Sequence, residues 1–477
     1  MQSATKTSWV VPALLCVSAV TLARVYAIWA RPTDLFVDEA QYWLWGQELA
    51  FGYYSKPPMI GWIIRIFTGL GPTDPFWVRL PAPLFHGATA LLLAWVAKLI
   101  WDARTAFWAA ITYITLPLVA VGSFLISTDT IMFPFLVLAL GSYLKTHEAT
   151  GFAWPLLAGV SLGIAALSKY AALYYIGCAV LVLLCVPSWR LRWPQIAMIF
   201  SAFLVAFSPN VLWNMANGFS TAEHTLDNVD WVRDPGERAN FDIASLAEFV
   251  GSQFIVFGPV LFALLLWLAA SGVLRRTAPV QNALLLLSIP ILLVVCTQSI
   301  LSEAYANWAV AAYLAGTLLV AAWLMDHPRL RIVSLCINGT FSLVLIFATL
   351  TADSLSLDGE RKVMARYLGM NAMSEAIFAA SNGLPILASN RDILANLFFL
   401  KGNDHQVYAI PSRGRAKHHY QLSFAYSGGD ASVAVVRRSH STLPCPADIL
   451  LEITPTSGHY RGQSFTVYRA PGTCFDP

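Results

Sequence analysis

Charge is scarce in this chain. Only 12% of its 477 residues are Asp, Glu, Lys or Arg, while 57% are hydrophobic. Soluble domains carry about twice that charged share, so a wholly soluble fold is excluded. No Walker or Rossmann glycine pattern occurs, and no nucleotide-phosphate loop is expected. No Cys-x-x-Cys and no His/Cys metal spacing occurs, so the sequence nominates no metal ligands. Of the seven cysteines, Cys16, Cys178, Cys185, Cys296 and Cys336 lie in apolar segments, where a thiol acts as a small hydrophobe. Cys445 and Cys474 fall in the polar C-terminal region and are candidates for a bridge. Internal repeats are missing as well, although a secondary transporter built from related halves would show them.

Long apolar runs are what the chain does have. Up to about residue 350 they recur at lengths near 20, the length that crosses a bilayer core. They fall at about 9–30, 78–98, 105–123, 128–145, 153–168, 171–187, 195–215, 248–271, 280–297, 304–325 and 331–351. The fifth and sixth are short and meet at "LSKYAALYY", which also allows one re-entrant pair. The first exceeds the 7–15 residues of a signal-peptide core, and Arg24 and Arg31 stand where a small-residue cleavage site belongs. It is read as a span. The expected architecture is therefore an α-helical polytopic membrane domain of about eleven transmembrane helices over 1–352. A small C-terminal α/β or α+β domain is expected over 353–477, where a helical pattern precedes the alternating "DASVAVVRR" and "GQSFTVYRA".

Basic residues set the orientation. Lys6, Lys98, Arg104, Lys145, Arg190, Arg192, Arg275, Arg276, Arg329 and Arg331 fall in alternate short loops. The opposite short loops carry almost nothing basic except Lys169. The expected location is the cytoplasmic (inner) membrane, with the N-terminus inside and the C-terminal domain outside.

Ionisable groups then collect at the outer membrane boundary. The loop over 31–77 opens with "TDLFVDEAQYWLWGQELAFGYYSKPPMIGWI". It holds Asp34, Asp38, Glu39, Glu48, Lys56 and seven aromatics between Phe36 and Tyr54. Further on, "PPMIGWIIRIFTGLG" reads as an interfacial amphipathic helix. A second large loop spans 217–247, and smaller ones contribute Asp129, Lys169 and Glu303. Each candidate also has a plainer reading. Asp38 and Glu39 could be solvated loop acids, but charge beside a span is costly and usually marks function. Lys56 could snorkel to headgroups, yet Pro57 and Pro58 fix the backbone behind it. Asp129 could be the N-cap of the fourth span. Most of the seventeen tryptophans can form an interfacial belt. The basic turn "PSRGRAKHHY", with Arg413, Arg415, Lys417, His418 and His419, reads as a solvated turn or as a contact for an anionic acceptor.

Five segments together carry a resemblance: "FVDEAQYWLWGQELAFGYYSKPPMIGW", "PFWVRLPAPLFHG", "LISTDTIMFPF", "ALSKYAALYY" and "EAYANWAVAAYL". They resemble the GT-C membrane glycosyltransferases, specifically the bacterial branch related to protein O-mannosyltransferases. That branch includes lipid A aminoarabinose transferases and lipopolysaccharide galacturonosyltransferases. The likeness runs over about residues 10–330. It implies a transferase that uses a polyprenyl-phosphate sugar and modifies a glycolipid or glycan acceptor among membrane lipids, with no nucleic-acid partner. It also implies Asp38 as catalytic base, Glu39 as its neighbour, and Lys56 on the donor phosphate, to which Arg79 and Lys169 are the natural additions. Tyr54, Tyr170, Asp129 and Glu303 are further site candidates, and Arg413, Arg415 and Lys417 are candidates for the acceptor. Aminoarabinose transferases usually have Glu before the lysine, where this chain has Ser55. That departure bears on the sugar and on any divalent metal cofactor. The alternative reading is a secondary transporter or flippase for a lipid-linked or small anionic substrate.

Overall fold

Apolar runs form helices here, and prolines and glycines decide where those helices stop. The computed structural model describes residues 8–148, 150–229, 241–274, 278–356, 361–401, 406–412, 414–439 and 441–476. Among these, five helices are long and apolar enough to cross a bilayer: Val10–Ala30, Pro75–Ile100, Trp193–Ala216, Pro279–Leu301 and Pro328–Leu350. Leu15, Leu22, Val205 and Leu343 on these helices stand largely exposed. A lipid-facing surface explains such exposure where a water-facing one does not.

The expected straight run over 248–271 is a broken pair instead. Ile243–Val256 and Pro259–Ser271 meet at 117°. Gly258 takes φ +90 between them, a conformation glycine reaches without a Cβ clash, and Pro259 has no amide hydrogen to continue the ladder. The run over 105–123 divides for a related reason into Ala103–Ile114 and Pro117–Gly122. Leu116 is extended there (φ −55, ψ 141), as residues before proline tend to be. Ala153–Ser168 and Leu173–Cys185 are separated by extended Lys169 and a single 3-10 turn, Tyr170–Ala172. Among the described residues, five of the eleven expected runs are helices long and apolar enough to cross, a sixth is the bent pair, and the others are divided, shorter or, like the 21-residue Thr128–Glu148, less apolar.

The described structure divides into two units. The first, Met1–Tyr26, Ala50–Ile60 and Arg79–Ile346, is the helical body. Trp193–Ala216 packs on Ala153–Ser168, which packs in turn on Thr128–Glu148. Gly159 and Gly163 let the first pair approach closely. A Cβ on Gly159 would lie 2.2 Å from the Ile199 carbonyl oxygen, and one on Gly163 would lie 2.5 Å from Ala206 Cβ. Small residues four apart are a usual device for membrane helix contact. Arg24 is fully buried and donates to Ile114 O (2.8 Å), Ser342 Oγ (2.9 Å) and Ser123 Oγ (3.1 Å). It ties three helical segments through one guanidinium.

The second unit comprises Ala27–Leu49, Gly61–Val78 and Phe347–Pro477. Its five strands are β1 Ile386–Ala388, β2 Val407–Ala409, β3 Ser432–Arg438, β4 Asp448–Ile453 and β5 Phe465–Pro471, in the order β2-β1-β3-β5-β4. β1 is parallel to β2 and β3, while β3–β5 and β5–β4 are antiparallel. Helix Arg391–Lys401 lies between β1 and β2 in the chain, as a parallel crossover requires. Cys445 and Cys474 are disulfide-bonded. Helix Val37–Gln47 packs on Arg391–Lys401 within this unit, with Trp43 edge-on to Phe399 at 5.0 Å. The segment read as an interfacial helix is the helix Met59–Thr68, whose Arg65 Nη1 donates to Gln47 Oε1 at 3.2 Å.

Candidate active site

Two groups of side chains, one in each unit, contain most of the sequence candidates. The group around Asp38 belongs to the second unit. The segment leading to it is anchored by Asp34, whose N–H donates to Tyr367 O (2.9 Å) and whose Oδ2 accepts from the N–H groups of Met370 (2.7 Å) and Asn371 (3.2 Å). Helix Val37–Gln47 then begins with the Phe36 N–H donating to Glu39 Oε2 at 3.0 Å. Glu39 is 2% exposed. Its carboxylate satisfies an amide that the first turn leaves without an intrahelical partner. Asp38, one residue earlier, points elsewhere and its side chain is 44% exposed.

Arg391 holds Asp38. Its Nη2 donates to Asp38 Oδ1 at 2.5 Å, and its Nε donates to Gln41 Oε1 at 2.9 Å. Asp38 and Gln41 are three apart, on one helix face, and the planar guanidinium reads both. Arg391 is itself placed by Asn390, whose Oδ1 accepts from the N–H groups of Asp392 (2.8 Å) and Ile393 (3.4 Å). Asn390 is the N-cap of helix Arg391–Lys401. Burial pulls the Arg391 pKa down, but the charge and hydrogen bond of Asp38 outweigh it and the net shift is upward. Among the described residues only Oδ1 of Asp38 is engaged, so Oδ2 keeps its lone pairs. A general base needs that capacity.

Aromatics and two histidines surround this pair. Tyr42 lies 5.4 Å from Trp45, and Trp45 is edge-on to His419 at 5.7 Å. Burial pushes His419 down to about 3, helped by His418 and by the Arg391 charge. Burial also lowers His418, whose Nδ1 accepts from the Gln421 N–H at 3.3 Å as the cap of helix His419–Ser423. Both rings are therefore neutral in the folded state near pH 7. An unfolded histidine takes up its proton near pH 6.5, whereas folded His419 resists until about 3. Acidification below 6.5 thus favours the unfolded chain. The thermal midpoint of detergent-solubilised protein is expected to fall between pH 7 and pH 5, and His419→Phe should flatten that slope.

The other group belongs to the first unit. Lys56 is half-buried in a tight loop, with Ser55, Pro57 and Pro58 buried around it and the Tyr53 N–H donating to Lys56 O at 3.1 Å. The loop is gripped through its backbone. Asn210 Nδ2 donates to Phe51 O (2.7 Å), and Thr221 Oγ1 donates to Tyr53 O (2.6 Å). Gly52 lies flush on Trp213, where a Cβ would fall 2.3 Å from the indole. Tyr54 meets His224 edge-on at 5.0 Å. Tyr170 joins the same network, its OH donating to Asn210 Oδ1 (2.8 Å) and accepting from Asn214 Nδ2 (3.3 Å). Asn210 and Asn214 were not singled out in the sequence. The signal was present, since two amides four apart mark a polar face on an otherwise apolar helix.

Asp129 and Lys169 form a buried ion pair. Lys169 Nζ donates to Oδ1 (2.8 Å) and Oδ2 (2.7 Å), and Asn307 Nδ2 approaches Oδ2 at 3.5 Å. The capping reading of Asp129 does not hold. Ser127 Oγ accepts from the Thr130 N–H at 3.3 Å and takes the N-cap place, while Asp129 lies inside the first turn of Thr128–Glu148. Arg79 is buried at the end of helix Pro75–Arg79. Glu303 is exposed, and its carbonyl accepts from Gln298 Nε2 at 3.4 Å. Arg415 and Lys417 are exposed on their turn, and Arg413 lies outside the described residues. Among the described residues no three His, Cys, Asp or Glu side chains converge as a metal-holding group.

Comparison with known proteins shows the family. Residues 55–213 match the family model described as dolichyl-phosphate-mannose-protein mannosyltransferase. The chain is 36% identical over 474 residues to the lipid A galacturonosyltransferase RgtD of Rhizobium johnstonii, covering 97% of this chain and 99% of the relative. Its fold is similar to that of ArnT from Cupriavidus metallidurans. The TM-score is 0.66 at 12% identity to the apo crystal structure, over 97% of this chain and 99% of that one. For the crystal structure bound to undecaprenyl phosphate it is 0.68 at 14% identity, over 98% and 99%. The 36% identity, which runs over nearly the whole of both chains, the family model and several apolar helices agree. The chain belongs to the GT-C membrane glycosyltransferases, in the bacterial lipid A and lipopolysaccharide transferase branch related to protein O-mannosyltransferases, and is a multi-pass membrane enzyme.

Proposed function

We propose that this enzyme transfers a sugar from a polyprenyl-phosphate donor to lipid A at the outer face of the cytoplasmic membrane, inverting the anomeric configuration. The observation that supports this most is the 36% identity across 97% of the chain to a lipid A galacturonosyltransferase. That relative's name also makes galacturonic acid the first sugar to test. The related fold with undecaprenyl phosphate bound supports the class of donor.

The chemistry follows from the residue types. An acceptor hydroxyl attacks the anomeric carbon, the bond from that carbon to the phosphate oxygen breaks, and polyprenyl phosphate leaves with the electron pair. Asp38 takes the hydroxyl proton, through the Oδ2 that Arg391 leaves unengaged. Charge grows on the phosphate as the bond breaks, and positioned cations lower that barrier. Lys56 has this role, with Arg79 and Lys169 as further cations. Tyr54, Tyr170, Asp129 and Glu303 shape the surroundings, and Glu39 fixes the helix start that aims Asp38. The 353–477 region is read as an extracytoplasmic domain that offers Arg415 and Lys417, with Arg413, to the acceptor. Eleven spans with a cytoplasmic N-terminus complete the reading.

Membrane vesicles given radiolabelled polyprenyl-phosphate sugar and lipid A test it directly. Label in lipid A is expected in wild type, with donor use strongly weakened in Lys56→Ala and partly kept in Lys56→Arg, since charge survives but geometry changes. Uptake of label without transfer would favour the transporter. Reporters after Arg192 and Arg331 should read cytoplasmic and one at the C-terminus should read outside. A cytoplasmic C-terminus would overturn the orientation.

A further inference from the structure

We propose that Tyr170, acting through Asn210, is a positioning residue that holds the loop carrying Lys56. Its bearing on the donor rests on the transferase reading above, in which Lys56 meets the donor phosphate. All of the residues involved belong to the first unit.

The direction of each hydrogen bond follows from one fixed partner. The Phe51 carbonyl can only accept, so the atom of Asn210 that meets it at 2.7 Å is the donor Nδ2. The other end of that amide, Oδ1, therefore faces Tyr170 OH at 2.8 Å and accepts from it. The phenolic oxygen in turn accepts from Asn214 Nδ2 at 3.3 Å. A single chain of donors results, running from Asn214 through Tyr170 and Asn210 to the backbone of the Lys56 loop. Bonds in such a chain polarise and strengthen one another. Asn210 is 1% exposed and Asn214 4%, so water is a poor replacement for a lost link.

Local structure explains how the chain forms. Tyr170 opens the 3-10 turn after extended Lys169. The two neighbours go to different partners, Lys169 to Asp129 and Tyr170 to Asn210. Phe207, Asn210 and Asn214 share a face of helix Trp193–Ala216, and Phe207 meets the Tyr170 ring edge-on at 6.1 Å. Pro209, inside that helix, has no N–H for the Val205 carbonyl, and Ser208 Oγ donates to it at 3.0 Å instead. Beyond the helix, Gly218 and Phe219 take positive φ, +64 and +55, and the Phe219 N–H returns to Asn214 O at 2.8 Å. That turn starts helix Ser220–Val229 where Thr221 Oγ1 reaches Tyr53 O at 2.6 Å. The loop is thus held at Phe51 and at Tyr53, and the Tyr53 N–H closes on Lys56 O at 3.1 Å. Pro57 and Pro58 restrict the backbone beyond it. A change at Tyr170 reaches Lys56 along this path.

Full-length protein in detergent, with undecaprenyl phosphate as the binding probe, provides the test. Tyr170→Phe keeps the ring against Phe207 and removes the hydroxyl. It is expected to weaken undecaprenyl phosphate binding and raise donor KM about tenfold, the cost of unpairing a buried polar group, with acceptor KM unmoved. Hydrogen exchange of the Tyr53 amide, followed in a peptide over 50–56, should quicken in the same variant. Asn210→Asp, nearly isosteric, should match that loss near pH 7, because a carboxylate cannot donate to Phe51 O. It should recover donor affinity relative to wild type as the pH falls, because a protonated carboxyl donates again. Asn210→Leu should show no such recovery. In the Lys56→Ala background, Tyr170→Phe should add nothing to donor KM. Additive losses there overturn the proposal, since Tyr170 would then touch the donor itself. Wild-type exchange and wild-type donor KM in both Tyr170→Phe and Asn210→Leu, with binding lost in Lys56→Ala, overturn it as well and leave the donor reading standing. Quickened exchange in those variants, with binding untouched by Lys56→Ala, would keep the grip on the loop and remove Lys56 from the donor phosphate.

Discussion

Asp38→Asn is expected to lower sugar transfer by about a hundred- to ten-thousand-fold, the usual worth of a general base, or roughly 3–5 kcal/mol in the barrier at 1.36 per decade. The substitution suits the question because it removes little else. An amide oxygen can still accept from Arg391 Nη2, which now meets Asp38 Oδ1, so the side chain stays aimed while its proton affinity disappears. Donor binding should persist. Glu39→Gln should cost far less, because an amide oxygen can still accept the Phe36 N–H that Glu39 Oε2 takes at 3.0 Å. Arg391→Met should fall between the two, leaving the carboxylate chemically able but no longer held to Gln41's face of the helix. Initial rates on purified variants at saturating donor decide the order. Near wild-type transfer by Asp38→Asn with an inactive Glu39→Gln would exchange the two roles, and activity in both would move the base elsewhere, with Asp129 next in line.

Lys169→Met should cost stability on the largest scale expected from a single change here, about 3–5 kcal/mol, because removing one partner of a buried pair strands the other charge. The Lys169 and Asp129 side chains are only 19% and 10% exposed, and Asn307 at 3.5 Å is a poor substitute for an ammonium group. The double variant Asp129→Asn/Lys169→Met should recover most of the loss, since the stranded charge is gone. Thermal melting in detergent for the two singles and the double closes a coupling cycle. A Lys169→Met protein that melts like wild type would show that the pair is not held out of water. If the pair serves transfer as well as folding, the double variant will be stable and inactive.

These experiments lean unequally on what the sequence could tell. Asp38, Lys56, Asp129, Lys169 and Tyr170 were legible because ionisable and phenolic groups beside apolar runs are conspicuous. The breaks at Gly258–Pro259 and before Pro117 were legible in principle, but run length outweighed them and each pair was read as one straight span. Asn210 and Asn214 were hidden by the weaker signal of a neutral amide. Arg391 was out of reach. Nothing in "SNRDILANLFFL" distinguishes a first-turn arginine that meets solvent from one that grips a carboxylate far upstream.

The contact between Asp38 and Arg391 spans 353 residues of chain. At the usual 5–20 residues per second of synthesis, the ribosome delivers the arginine about 20–70 s after the aspartate. A nascent chain can therefore enter the translocon, insert its helices and meet lipid-linked sugars while Asp38 still lacks the residue that aims it. Arg391 arrives only with the last fifth of the polypeptide, so a truncated or stalled product carries Asp38 without the side chain that holds it.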